Sequence, residues 1–121
     1  MRAVFIIGLG GFVGAVLRYL LSLLPLAQRT GFPVVTLLIN IAGAFLIGIL
    51  AGVAVRFPAF NSDWMAFMQI GICGGFTTFS TFALESTVLL GGEGFGMGLL
   101  YIGLSLVVGL GAVWLGRAVV M

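Results

Sequence analysis

The sequence predicts an all-α membrane protein with four transmembrane helices, and three observations carry that expectation. Of its 121 residues, 62% are hydrophobic and 7% charged, a composition outside the range of soluble domains. The apolar residues fall into four runs, each long enough for the roughly 20 helical residues that a bilayer's hydrocarbon requires. Proline, glycine or charge closes each run, as expected where a span stops. Four spans occupy the chain as a single transmembrane domain, 1–121, with no length left over for a soluble domain.

Helix 1 is expected over about 3–24, ending before Pro25 and the polar Gln28, Arg29 and Thr30. Its early Arg2 and apolar run resemble a signal peptide, but the run is too long and no small-residue cleavage site follows, so the helix is expected to be retained. Helix 2 is expected over 34–55, closing at Arg56 and Pro58. Asn61, Ser62 and Asp63 carry capping oxygens, which starts helix 3 near 63 and runs it to 90. The "GGEG" of 91–94 is a tight connection, and helix 4 takes 95–117 with Arg117 at its end.

The third run contains "GICGGFTTFSTFALE" at 71–85. Gly74 and Gly75, followed by Thr77 and Thr78, lower helix propensity in mid-span. Two readings fit. A break at 74–77 would free carbonyls suited to a hard cation such as sodium, provided protein buries it or it lines a cavity. Alternatively the helix continues, and its hydroxyls bond back to its own carbonyls.

Lysine and histidine are absent, and five arginines against three acids give a net charge of +2, too little and too scattered for a nucleic-acid partner. Arg2, Arg56 and Arg117 fall on the side of the termini, Arg29 and Arg18 on the other. Short-loop Lys/Arg imbalance sets orientation, and three against two hardly does so. Insertion in both directions is therefore expected, with opposite-facing copies closing an antiparallel homodimer about a two-fold axis in the membrane plane. Cys73 is the sole cysteine, which rules out an internal disulfide and makes a thiolate metal site implausible. Twenty glycines, including the four-spaced pairs Gly10/Gly14, Gly48/Gly52 and Gly71/Gly75, suit close helix packing in lipid. "GLGGFVG" at 8–14 lacks the preceding strand and following acid of a dinucleotide fingerprint.

Polar groups within the spans face partner helices or a watery path. Phe79 and Phe82, three apart, share a helix face. They are either core packing or ring edges turned to an anion, the positive edge being a consequence of the aromatic quadrupole. Ser80 and Thr81 beside them offer donors. Asn40 offers its amide to a permeant anion or to a neighbouring helix. Tyr101 and Ser105, four apart, form a short ladder of hydroxyls. Arg18 either snorkels or supplies a positive vestibule, and Glu85 has the same choice of an interface. No carboxylate pair, nucleophile–base pair or metal-ligand cluster occurs, so the chain is not expected to be an enzyme.

"GGFTTFSTF" at 74–82, with "LLIN" at 37–40 and "GAVLRY" at 14–19 on four short spans, resembles the Fluc (CrcB) family of bacterial fluoride channels across the entire chain. The resemblance implies a fluoride-selective channel of the bacterial inner membrane that exports fluoride passively, as an antiparallel homodimer with two pores. It implies an interrupted helix 3 and a central structural sodium ion held by the backbone carbonyls of Gly74 and Thr77 from both subunits. Phe79 and Phe82 match the pore phenylalanines, Asn40 the pore asparagine, and Tyr101 and Ser105, with Ser80 and Thr81, the polar track. Arg18 is carried over as the vestibule residue, and Gly109 stands where some relatives extend the track. The alternative is a small dual-topology, proton-coupled drug exporter, for which Glu85 is the one candidate carboxylate. A third reading is a non-conducting accessory subunit.

Overall fold

The computed structural model describes residues 1–26, 31–60 and 62–121. Arg29, counted above for orientation, and Asn61, expected as a cap, lie outside the described residues. The described residues form helices and connections, with no strand. Three spans are continuous: α1 (Arg2–Ser22), α2 (Val34–Arg56) and α6 (Phe95–Val120). The third, Ser62–Gly91, is composite. It consists of α3 (Ser62–Met65), a π-helical segment (Ala66–Cys73), α4 (Gly74–Phe76), two extended residues, and α5 (Phe79–Gly91). All four are long and apolar enough to cross a bilayer, as in a multi-pass membrane protein.

The spans end where backbone chemistry stops them. α1 finishes at Ser22, and the N–H groups of Leu23 and Leu24 donate to Leu20 and Leu21 carbonyls at 3.2 and 3.1 Å, a tightened last turn before Pro25. α6 continues past Arg117 to Val120, and Arg56 at the end of α2 donates to the Val120 carbonyl at 2.6 Å. Ser62 already lies within α3, and Asp63 in its first turn pairs with Arg2 at 2.6 Å.

The sequence reading put an interruption of the third span at 74–77, but Gly74, Gly75 and Phe76 are helical and the departure falls at Thr77 (φ −78, ψ 155) and Thr78 (φ −145, ψ 115). The threonines have the better chemistry for leaving a helix. They are β-branched, and a hydroxyl can cap the segment that resumes. Thr78 Oγ1 accepts the Thr81 N–H at 3.2 Å, an N-cap for α5. The glycines meanwhile serve packing: a Cβ on Gly75 would lie 2.5 Å from the Gly11 carbonyl oxygen.

Two tight pairs of helices result. α1 lies along the first part of the third span, residues 62–76, and α2 lies along α6. Backbones touch in both seams. A Cβ on Gly10 would lie 2.9 Å from Gly71 Cα, and one on Gly14 would strike the Ile72 carbonyl; Gly48 meets the Val113 carbonyl and Gly116 that of Phe45. In lipid, where apolar burial between helices gains little, such close approach is the main source of association energy. The second part of the third span, α5, packs on α6 instead of following residues 62–76 onto α1. The third span thus changes partner at Thr77 and Thr78.

Candidate functional site

Where the third span changes partner, a cleft of about 380 Å³ opens between α2, the third span and α6. Its polar wall is formed by Asn40 from α2, Thr77 and Thr78 from the extended link, and Ser105 from α6, with the rings of Phe79 and Phe82 alongside. Among the described residues, no charged one lines it.

The Asn40 side chain holds the link in place. Its amide nitrogen donates to the Thr78 carbonyl at 3.0 Å, and its amide oxygen accepts the Thr78 N–H at 2.8 Å. One side chain thus satisfies both backbone groups of an extended residue at membrane depth, where orphaned groups cost most. With the Thr78 N–H engaged by Asn40, the Gly74 carbonyl loses its usual donor four residues on. Thr77 remains tied to the preceding turn, its N–H and hydroxyl both donating to the Cys73 carbonyl, at 3.0 and 2.8 Å. Arg18 reaches the same break from α1, and its Nε donates to the Gly75 carbonyl at 3.3 Å. A cation there faces the negative, carbonyl end of residues 62–76, the favourable sense of the helix dipole.

The phenylalanines flank the cleft. Phe79 and Phe82 have ring centroids 5.9 Å apart at 45°, and Phe82 meets Tyr101 at 5.3 Å and 59°, tilted contacts rather than stacks. Phe79 is 79% exposed on the single chain. Ser105 Oγ is buried with no hydrogen-bond partner, which leaves its hydroxyl available to a guest in the cleft. Thr81 accepts from Thr78 Oγ1 at 3.0 Å, whereas Ser80 is exposed and outside the cleft lining.

Tyr101 points elsewhere. It is fully buried, and its hydroxyl donates to Glu85 Oε2 at 3.0 Å, while Thr36 donates to Glu85 Oε1 at 2.7 Å. Glu85 therefore does not reach for an interface: two hydroxyls from two other helices hold it. The sequence offered this cluster only weakly, since Thr36 and Glu85 are 49 residues apart. A carboxylate inside a span nevertheless signals that a partner exists. Gln69, another polar residue of the third run, lines the same cleft and was not singled out from sequence. Among the described residues, no group of three His, Cys, Asp or Glu side chains is placed to hold a metal. A cation held by backbone carbonyls needs no such group.

The family model described as "CrcB-like protein, Camphor Resistance (CrcB)" matches residues 5–117. This chain belongs to the CrcB-like family. Its CrcB-like relatives include a protein of Ruminiclostridium cellulolyticum, 45% identical over 118 residues that cover 97% of this chain and 91% of the relative. A relative from Prosthecochloris aestuarii is 42% identical over 117 residues, 96% of this chain and 91% of that one. A third, from Azobacteroides pseudotrichonymphae genomovar. CFP2, is 38% identical over 117 residues, 96% and 94% of the two chains. All three are named "Fluoride-specific ion channel FluC".

Proposed function

We propose that the chain is a fluoride channel that lets fluoride leave a bacterial cell passively across the inner membrane. The observation that carries this reading is the cleft. It offers an unpartnered hydroxyl, a side-chain amide and aromatic rings, with no formal charge among the described residues of its lining. Fluoride is small and strongly hydrated, so a pore has to replace its water with compact donors without holding the ion too tightly to release. Neutral dipoles and ring edges meet both demands. Names carried by relatives at about 40% identity point to the same ion.

In this reading Phe79, Phe82, Asn40 and Ser105 line the route, Thr81 and Tyr101 shape it from behind, and Ser80 stands at its rim. Two copies assemble antiparallel, each with its own pore. The exposed ring of Phe79 and the open side of the cleft favour a second copy. A structural sodium ion between the copies would be held by the carbonyls of Gly74 and Thr77. Carbonyl oxygens are hard donors suited to such an ion, and Gly74 stands open on the cleft with no atom within 4 Å of the place a Cβ would occupy. A single chain brings only two such carbonyls, so the ion would require both copies.

The proton-coupled exporter is not favoured, because its one candidate carboxylate, Glu85, already has hydroxyl donors on both oxygens. The test is fluoride efflux from liposomes followed with an electrode. Wild type is expected to empty the vesicles, and Phe79→Ala and Phe82→Ala to do so slowly while remaining assembled. Efflux no faster than from protein-free vesicles would rule the reading out.

A further inference from the structure

The cleft's polar wall lies at its inner end. Towards the side of the termini, its α2 and α6 walls are Ala44, Ile47, Leu106 and Val113, which offer no side-chain donor. One polar side chain interrupts that stretch, Gln69 of the third span. Gln69 also lines a second cavity of about 350 Å³, bounded by the 57–60 turn and the start of the third span. Among the described residues it is the one shared by the two linings.

The backbone explains how one residue meets both spaces. Gln69 lies within the π-helical segment Ala66–Cys73, whose i→i+5 bonds enclose one more residue per turn than an α-helix. On this segment Ala66 and Ile70 face the second cavity, Cys73 faces the cleft, and Gln69 lies between them. Extended π-helix is rare, and where it occurs it commonly accompanies function. The Gln69 side chain is half-buried, and among the described residues it makes no hydrogen bond. An amide left without a partner inside a span is costly unless water or a guest satisfies it.

We infer that Gln69 is a further ion-handling residue: its amide is the donor that passes the anion between the cleft and the second cavity on the side of the termini. This rests on the channel reading above and extends its route. Gln69 stands about two helical turns from Thr77 along the third span, past the apolar walls of the cleft, and its amide supplies two donors there without a charge that would trap the ion.

Fluoride efflux from liposomes tests it with three variants. Gln69→Met keeps the side-chain volume and removes the donors; efflux is expected to fall about tenfold, the factor carried by one lost hydrogen bond to an ion. Gln69→Asn, which keeps the amide, is expected to retain more efflux than Gln69→Met. Gln69→Cys is expected to react with a membrane-impermeant trimethylammonium methanethiosulfonate reagent, and its efflux to drop on reaction. Wild type is the control, since its one cysteine, Cys73, is 2% exposed. Gel filtration in detergent reports assembly, and if Gln69→Met does not assemble, the labelling of Gln69→Cys decides. An unlabelled Gln69→Cys, or a Gln69→Met as fast as an active wild type, would overturn this inference alone. An inactive wild type would overturn the channel reading with it.

Discussion

Replacing Asn40 by leucine probes the site most directly, because the side chains are similar in size and the substitution removes only the polar grip on Thr78. Two hydrogen bonds disappear, of 3.0 and 2.8 Å, and the Thr78 carbonyl and N–H are left without protein partners. Leaving a buried polar group unsatisfied costs about 1–3 kcal/mol, while interhelical hydrogen bonds in membrane proteins average nearer 0.6 kcal/mol because the alternative state also finds partners. The lower end of the first range is therefore used for each group, giving about 2 kcal/mol for the pair. At about 1.36 kcal/mol per factor of ten, the native link becomes roughly 30-fold less favoured relative to its alternatives. Efflux from liposomes at equal protein loading is expected to fall by up to that factor, and the denaturation midpoint in detergent to drop. Asn40→Leu with wild-type efflux and wild-type midpoint would refute the idea that this amide sets the geometry of the break.

Tyr101→Phe keeps the buried ring but deletes the 3.0 Å bond to Glu85; a loss of about 0.5–1.5 kcal/mol, the range for a typical hydrogen bond, is expected in chemical denaturation. Gly48→Ala would drive a methyl into the Val113 carbonyl, whereas Gly109→Ala meets nothing within 4 Å. The first is expected to cost about 1–3 kcal/mol and the second less than about 0.5 kcal/mol, both read from thermal unfolding in detergent. Arg2→Gln removes an ion pair whose arginine is 82% exposed; a change under about 1 kcal/mol, shrinking further as salt is raised, is expected.

Much of the architecture was legible in the sequence because lipid imposes a simple code. Apolar runs bounded by Pro25, Arg56, Pro58 and the 91–94 glycines delimited four helices, and glycine spacing marked the seams that Gly10, Gly14, Gly71 and Gly75 line. The break expected at 74–77 includes Thr77, where the helix is left, but propensity spreads the weakness back over Gly74 and Gly75. Tertiary contact with α1 keeps those glycines helical and moves the departure to the threonines. Side-chain roles were harder still. That Asn40 would grip Thr78, 38 residues away, or that Thr36 and Tyr101 would converge on Glu85, depends on rotations of three spans about their axes. No spacing within one run encodes those rotations. Gln69 lines the cleft from within a π-helical segment, a winding that local residue preferences do not announce.

The chain crosses between its two helix pairs three times: by the connections before α2 and before α3, and through Thr77 and Thr78. Only the last crossing lies in mid-span. Any twist of one pair against the other must therefore be taken up inside the bilayer by a two-residue strap, pinned on one flank by Arg18 and on the other by Asn40. Lipids that squeeze or stretch the molecule therefore act, at mid-depth, on the same stretch of backbone where the cleft is built.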